Sequence, residues 1–303
     1  MFIVKNRTIW YSLSALLVVA SLGVYLTWGL KFGIDFTGGS LMEVTYSEAR
    51  PTSAGLTERL ESVGVTGTSI RATGDNGYLI RTPFLNVETH QQARAAIGGT
   101  EVRYDSIGPS IGTELRTRAV YAIILVLLAI ALFIAFTFRK VSKPVSSWKY
   151  GLVALVSLAH DVVIPLGAFV LLGHFAGAEV DTLFVTALLV VLGFSVHDTI
   201  VVFDRVRENL RLNTEHGHTE DFETVVGKSV SQTMGRSINT SLTTVLALFA
   251  LYIWGPEPTQ YFSLTLLIGI IAGTYSSVFI GSPLLVTLQK MQKEPVVDSK
   301  KKK

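Results

Sequence analysis

Six long apolar stretches limit what this chain can fold into. A helix needs about 20 consecutive apolar residues to cross the hydrocarbon core of a membrane, because no water is present there to bond its backbone. The stretches cover residues 9–28, 119–138, 151–172, 183–203, 238–254 and 262–288. The first follows Lys5 and Arg7, but it is too long for a signal peptide and no Ala-x-Ala-like cleavage site follows it. We therefore expect an α-helical membrane protein with six transmembrane helices.

The distribution of basic residues predicts the orientation of these helices, because short loops rich in lysine and arginine stay in the cytoplasm. Basic residues concentrate after the second stretch, after the fourth and in the tail: Arg139, Lys140, Lys143, Lys149, Arg205, Arg207, Arg211, Lys228, Lys290, Lys293 and Lys300 to Lys303. The connection between the third and fourth stretches carries the acidic residues Glu179 and Asp181, and that between the fifth and sixth carries Glu257. Both termini are therefore predicted to be cytoplasmic. The net charge of +3 follows from this asymmetry, so it indicates no nucleic-acid partner.

The one long polar insert, residues 31–118, has the pattern of a folded domain. Alternating or β-rich segments at 41–46, 67–72, 78–82 and 101–107 predict strands, and segments at 53–63 and 87–97 predict helices. Gly74-Asp75-Asn76-Gly77 is typical of a hairpin turn. The order βαββαβ predicts a small α+β domain with a ferredoxin-like arrangement, on the extracytoplasmic side between helices 1 and 2.

The predicted organisation therefore has four parts. Residues 1–30 form the cytoplasmic N-terminus and the first transmembrane helix, and residues 31–118 form the extracytoplasmic domain with its connections. Residues 119–289 contain transmembrane helices 2 to 6 with a cytoplasmic loop at 204–236, and residues 290–303 form a lysine-rich cytoplasmic tail.

Two aspartates and one arginine stand out inside or next to the apolar stretches, where each charge costs at least ~2.5–3.5 kcal/mol unless it finds water or a partner. Asp161 lies near the middle of the third stretch beside His160, and Asp198 lies in the fourth beside His197. Arg236 precedes the fifth, which opens with polar residues that include Asn239, Thr240 and Thr243. We consider Asp198, Arg236 and Asp161 candidates for proton coupling, with His197 and the three polar residues of the fifth stretch in support.

A pair between Asp198 and Arg236 would hold the carboxylate ionised, whereas their separation would favour proton uptake. The alternative is a static ion pair that fixes helix packing, since structural networks also perturb titration. For Asp161 no basic partner is obvious, so a functional and a purely structural role both remain open.

Small residues recur every four positions in the sixth stretch, at Gly269, Gly273, Ser277 and Gly281, and predict a close helix–helix contact. The chain has no cysteine. No nucleophile elbow and no metal-ligand spacing is visible either, so we expect neither an enzyme nor a bound cofactor or metal.

Several motifs resemble the bacterial SecD/SecF translocase family. They are Phe32-Gly33-Ile34-Asp35-Phe36-Thr37-Gly38-Gly39, Ile107-Gly108-Pro109, His160-Asp161, the run from Val196 to Asn209 that contains His197-Asp198, and Ser237-Ile238-Asn239-Thr240-Ser241. They cover nearly the whole chain. The single small insert is similar to the SecF branch rather than to SecD, whose external portion is much larger. One departure is His197, where relatives often carry asparagine.

The resemblance implies a multi-pass protein of the bacterial cytoplasmic membrane that joins SecD in a twelve-helix unit similar to resistance-nodulation-division transporters. It implies work beside the SecYEG channel and the SecA ATPase on a translocating preprotein, driven by protons. Asp198 and Arg236 match the family residues implicated in proton passage. Gly38 and Gly39 are hinge candidates that would pass motion to the external domain, and simple tight-turn geometry is the alternative. Two rival functions are a lipid or drug exporter and a scaffold that carries no protons.

Overall fold

The computed structural model describes residues 2–139, 145–217 and 219–291. The predicted cytoplasmic lysines Lys140, Lys143, Lys293 and Lys300 to Lys303 lie outside the described residues. Two compact units are present. The membrane unit consists of residues 1–30, 123–178 and 183–303, and the insert domain consists of residues 31–122 and 179–182.

The elements in chain order are α1 (Phe2–Lys5), α2 (Arg7–Trp28), α3 (Ile34–Thr37), β1 (Gly39–Thr45), α4 (Ser53–Ser62), β2 (Ser69–Thr73), β3 (Gly77–Thr82), α5 (Val87–Ile97), β4 (Thr100–Ile107), α6 (Pro109–Thr137), α7 (Ser147–Phe175), α8 (Thr182–Glu215), α9 (Phe222–Trp254), α10 (Glu257–Ser276), a π-helical segment (Ser277–Gly281) and α11 (Ser282–Lys290).

Six helical segments of the described chain are long and apolar enough to cross a membrane. They are α2, α6, α7, α8, α9 and the sixth segment, Thr259–Lys290, which contains most of α10, the π-helical segment and α11. The predicted number of membrane-spanning helices, six, therefore agrees with the six candidate spans of the described chain. Several helices extend well beyond the apolar stretch, because the backbone hydrogen-bond ladder continues through polar residues once the helix has begun.

The extensions matter most for the predicted loop at 204–236. Helix α8 continues to Glu215 and α9 begins at Phe222, so most of this stretch is helical and only a short connection remains. Its polar residues bond across the two helices: Asn209 donates through Nδ2 to Ser229 Oγ at 2.8 Å and to Gln232 Oε1 at 2.9 Å. The segment is thus a helical hairpin.

One end of the membrane unit has an aromatic core. The rings of Phe138 in the chain after α6 and Tyr150 in α7 stack at 5.2 Å, and Phe203 in α8 meets both edge-on at 5.9 and 5.2 Å. Short helix α1 adds Ile3 and Val4 to the same cluster. These contacts fix the same end of three transmembrane helices.

The insert domain contains a four-stranded antiparallel sheet with the strand order β2-β3-β1-β4. Both helices pack on one face of it, where Leu56 and Leu60 of α4 and Ala93 and Ile97 of α5 join a buried cluster with Met42, Val44, Tyr78 and Ile80. Side-chain caps start both helices: Thr52 Oγ1 accepts from the backbone N–H of Gly55, and Asn86 Oδ1 accepts from that of Thr89. The predicted small antiparallel sheet is confirmed.

Gly38 and Gly39 lie in a crowded part of the insert domain. Gly38 has φ +73°, and a Cβ there would lie 2.7 Å from the Cα of Pro109. Gly39 has φ +130°, and its Cβ would lie 2.8 Å from the carbonyl oxygen of Thr82. Both conformation and space therefore require glycine. This geometry supports the tight-turn alternative, and a hinge at this pair stays a prediction.

Candidate functional site

Asp161 is fully buried where α7, α8 and α10 meet. Its Oδ2 accepts hydrogen bonds from Ser195 Oγ of α8 at 2.5 Å and from Ser276 Oγ of α10 at 2.8 Å. Its Oδ1 lies 2.9 Å from His160 Nδ1. One carboxyl group therefore joins three transmembrane helices, with both oxygens bonded.

His160 links this carboxyl group to a second set of polar residues. Its ring lies 6.1 Å from that of Tyr275, whose hydroxyl donates to the carbonyl of Trp10 and accepts from Ser14 of α2. His160 Nε2 is buried and has no hydrogen-bond partner in the described part of the chain. Such an atom is unusual, because buried polar atoms in proteins are generally hydrogen-bonded.

Asp198 lies deep in α8 with 3% of its surface exposed, and its bonding is looser than that of Asp161. Its Oδ2 is 3.5 Å from Ser241 Oγ of α9, and Ser241 Oγ is 2.5 Å from Thr274 Oγ1 of α10. Ser237, one turn before Ser241, is also buried, and its hydroxyl has no partner among the described residues. Asp198 thus faces hydroxyl groups, and none of the ion pairs among the described residues joins it to a lysine or an arginine.

The predicted pair between Asp198 and Arg236 is not present among the described ion pairs. Successive residues of a helix point about 100° apart. Because Ser237 and Ser241 face inward, Arg236 points elsewhere, and its side chain is exposed. His197 is likewise exposed, next to the buried Asp198.

The other predicted supporting residues share the face of Arg236. Asn239, Thr240 and Thr243 follow Arg236 at three, four and seven positions, which is one stripe of a helix. Asn239 and Thr243 are exposed, and Thr240 is half-buried with its hydroxyl bonded to the carbonyl of Arg236 at 2.7 Å. Helix α9 therefore has two polar faces, one turned to Asp198 and one outward.

Sequence reasoning missed three hydroxyl groups of the site: Ser195, Thr274 and Ser276. Thr274 belongs to the Asp198 group and Ser276 to the Asp161 group, so the start of the π-helical segment lies next to residues of both. Ser277 continues the series, since its Oγ is 3.0 Å from Thr199 Oγ1 of α8. π-Helical segments are often found at functional sites. Hydroxyl residues in an otherwise apolar span were the available signal.

The small residues of α10 and of the π-helical segment make close contacts with two different helices. A Cβ on Gly269 would overlap the side chain of Val191, and one on Gly273 would lie 2.8 Å from Ser195 Cβ. A Cβ on Gly281 would instead lie 3.2 Å from Ser157 Oγ of α7. Ser277 lies between these contacts in the π-helical segment. The predicted stripe therefore turns from α8 to α7.

We expect Gly269→Ala to destabilise the membrane unit by about 2–3 kcal/mol, because the added methyl overpacks against Val191. Gly193→Ala in α8 is the matched control, since a Cβ there meets nothing within 4 Å. That control should be neutral or stabilising by up to about 1 kcal/mol, the difference in helix propensity. Thermal unfolding of both variants in detergent would measure this, and equal midpoints would contradict the packing argument.

No group of three or more potential metal-ligating residues occurs among residues 2–139, 145–217 and 219–291. The chemistry available at the site is that of two buried carboxyl groups, one imidazole and a series of hydroxyl groups. These can bind, hold and release protons.

Fold and site together define a membrane protein of six spanning helices with two buried carboxyl groups and a small α+β domain inserted after the first helix. Two family models match the chain, Protein export membrane protein SecD/SecF, C-terminal, at residues 88–291 and SecD/SecF GG Motif at residues 29–49. The chain belongs to the SecD/SecF family of protein-export membrane proteins.

Within this family the similarity is to protein translocase subunit SecF. The chain is 40% identical over 301 residues to SecF of Thermobaculum terrenum, covering 94% of this chain and 93% of that protein. It is 36% identical over 292 residues to SecF of Anaerolinea thermophila, covering 94% and 92%. These relatives are named as translocase subunits, a transport component and not an enzyme family.

Two solved structures of SecDF have the same fold over this chain. The crystal structure of SecDF, a translocon-associated membrane protein from Thermus thermophilus, matches with a TM-score of 0.80 and 30% identity over 95% of this chain. SecDF in its super-membrane-facing form matches with a TM-score of 0.64 and 31% identity over 96%. In both cases the chain spans 38% of the SecDF polypeptide.

Proposed function

We propose that this chain acts with SecD to couple the proton motive force to late steps of polypeptide translocation across the bacterial cytoplasmic membrane. The observation that carries the proposal is Asp198, which is buried in a spanning helix and bonded only loosely to Ser241. A carboxyl group without a lysine or arginine partner has a high free energy in a membrane while it is ionised, and a much lower one once it is protonated. Asp198 is therefore suited to change its protonation state as helices rearrange.

Asp161 is the second group proposed on the proton path. Thr274 and Ser276 at the end of α10 and Ser277 at the start of the π-helical segment bond to Ser241 beside Asp198, to Asp161 and to Thr199. Repacking of α10 would change the hydrogen bonds of both carboxyl groups at once. The π-helical segment is a suitable place for such repacking, because its bonding pattern differs from that of the α-helix on either side.

The outward face of α9 supports a partner in the membrane. Arg236 and Asn239 are exposed at the start of the fifth apolar stretch, and a charge that met lipid would be destabilised by up to ~2.5–3.5 kcal/mol. A second subunit that supplies an acidic or polar surface would remove that cost. SecD is the proposed partner, since the matching solved chains are SecDF polypeptides. Arg236 would then take part in proton transfer at the interface between the two subunits, with Asn239, Thr240 and Thr243 beside it.

The remaining assignments follow from the same scheme. The insert domain, with its βαββαβ order and sheet order β2-β3-β1-β4, is inferred to be ferredoxin-like and extracytoplasmic, where it would meet the emerging preprotein.

Both termini are cytoplasmic, and SecYEG with SecA supplies the channel and the ATP-driven step. Each proton that crosses 100 mV supplies about 2.3 kcal/mol, at a place where ATP is absent.

The test is translocation of a secreted precursor into inverted membrane vesicles that contain SecYEG and SecA, with or without this chain and SecD. We expect the proton gradient to accelerate completion of translocation only when both subunits are present. A scaffold would give the same acceleration factor with and without the gradient. A lipid or drug exporter would leave precursor translocation unchanged in all vesicles.

A further inference from the structure

The connection before α8 is bonded to the motif that follows α2. Residues 179–182 belong to the insert domain, although they come directly before the rest of a transmembrane helix. The backbone N–H of Val180 donates to the carbonyl of Lys31 at 2.7 Å, and that of Gly33 donates to the carbonyl of Val180 at 2.8 Å. Phe32 and Val180 form a parallel β-bridge. We call residues 31–35 with residues 179–182 the clasp.

Asp35 makes the contact of the clasp that reaches the helix itself. Its Oδ2 accepts from the backbone N–H of Thr182 at 2.8 Å and from Thr182 Oγ1 at 2.7 Å. Thr182 is the first residue of α8. The first N–H groups of a helix have no partner within it, and a carboxylate placed there is favoured by the helix dipole. Asp35 therefore binds the start of α8 through charge and two hydrogen bonds.

The other side of the clasp is fixed to the sheet. Glu179 forms an ion pair with Arg81 of β3. Gly38 and Gly112 pack so closely that a Cβ on Gly112 would lie 2.6 Å from the backbone nitrogen of Gly38. The chain on both sides of Asp35 is thus held within the insert domain. A displacement of Thr182 would act on the whole domain and not on a loose loop.

Helix α8 is continuous from Thr182 to Glu215 and carries both Ser195 and Asp198. Asp198 lies sixteen residues after Thr182, which is about 24 Å along the axis at 1.5 Å per residue. A continuous helix transmits a shift or rotation along its length with little loss. The residue that binds its first turn therefore receives any movement that begins at Asp198.

We propose that Asp35 is a positioning residue that transmits movements of α8 to the insert domain through its bonds to Thr182. This inference rests on the proposed function, because it takes the movement of α8 to follow the protonation of Asp198. The role falls on Asp35, a half-buried acid of the motif at residues 32–39, and it requires no hinge at Gly38 and Gly39.

The test measures whether a change at Asp198 alters the distance between a spin label in the insert domain and one in the membrane unit. The chain has no cysteine, so spin labels can be placed at introduced cysteines, in a complex with cysteine-free SecD. Val102 on β4 and Phe175 at the end of α7 are exposed, at 58% and 76%, and suit Val102→Cys and Phe175→Cys. Pulsed electron paramagnetic resonance then compares the distance distribution with and without Asp198→Asn, which imitates the protonated carboxyl group.

We expect Asp198→Asn to shift the distance distribution, and Asp35→Ala to abolish that shift. Asp75→Ala is the matched control, since Asp75 is an exposed acid of the same domain in the turn between β2 and β3. A second pair keeps the test independent of Asp35 itself: Thr182→Val loses the hydroxyl bond and should reduce the shift, whereas Thr182→Ser retains it. Equal amounts of assembled complex are required in each comparison.

The outcomes separate the inference from the function on which it rests. If the shift persists at full size in Asp35→Ala and in Thr182→Val, the clasp does not transmit the movement, while the proton-coupling proposal stands. A second outcome is that Asp198→Asn causes no shift with Asp35 intact, while translocation by the wild-type complex responds to the gradient. Coupling then proceeds without this movement, and only the inference about Asp35 fails. If the gradient response is also absent from the wild-type complex, both fail.

Discussion

The Asp198→Asn variant should assemble normally with SecD and lose the whole gradient-stimulated component of translocation. Asparagine preserves the shape of the side chain, and its oxygen can still accept from Ser241, whose hydroxyl lies 3.5 Å from the carboxylate. Only the ability to take up and release a proton is lost. The rate measured with a proton gradient should therefore fall to the rate measured without it, while the SecA-driven rate is unchanged.

Asp204→Asn is the matched control for that experiment. Asp204 lies six residues further along α8, is exposed and pairs with Arg207 at 2.5 Å. Loss of an exposed ion pair costs at most about 1 kcal/mol, so this variant should translocate at the wild-type rate with the gradient. Gradient-stimulated translocation by Asp198→Asn at normal complex levels would leave the scaffold as the better function for this chain.

The Asp161→Ala variant should lose most of the folded membrane unit, with a decrease of about 2–4 kcal/mol in stability. Alanine removes the acceptor of Ser195 and Ser276, leaves His160 without its carboxyl partner, and opens a cavity at a fully buried position. Three helices lose their common contact. The measurement is the thermal midpoint of the detergent-solubilised protein and the amount recovered with SecD.

Asp161→Asn separates stability from proton transfer at the same position. Its oxygen can accept from both serines while its amide donates to His160 Nδ1, so we expect stability within about 1 kcal/mol of the wild type. A stable Asp161→Asn protein with no gradient-stimulated translocation would place Asp161 on the proton path. If that protein translocates normally, the carboxyl group serves packing alone.

The periodicity of the sequence was sufficient for much of the architecture. Apolar runs of about 20 residues are long enough to cross a membrane, and the alternation between Leu41 and Tyr46 is typical of a half-buried strand. The helix predicted near 87–97 agrees with α5, and in the structure Asn86 caps its start and Gly98 follows its end. These features depend on neighbours along the chain, which is why local reasoning finds them.

The partners of the buried carboxyl groups were decided by tertiary structure. The sequence placed Asp198 and Arg236 at similar depth and suggested a pair, but the rotation of α9 about its own axis turns Ser237 and Ser241 inward and Arg236 outward. Rotation depends on which residues of α8 and α10 pack against α9, and no local pattern encodes it. For the same reason Ser276 could not be assigned to Asp161, more than a hundred residues earlier.

The sequence alone determined that this chain has six membrane-spanning stretches, one inserted α+β domain and two acids within apolar stretches. Each of these is visible locally, because lipid and water require different residue types along the chain. The tertiary structure alone decided which hydroxyl groups bind those acids, where the sixth span departs from the α-helix, and that Asp35 binds the first residue of α8. These depend on contacts between segments far apart in the chain, which form only when the helices and the sheet have packed.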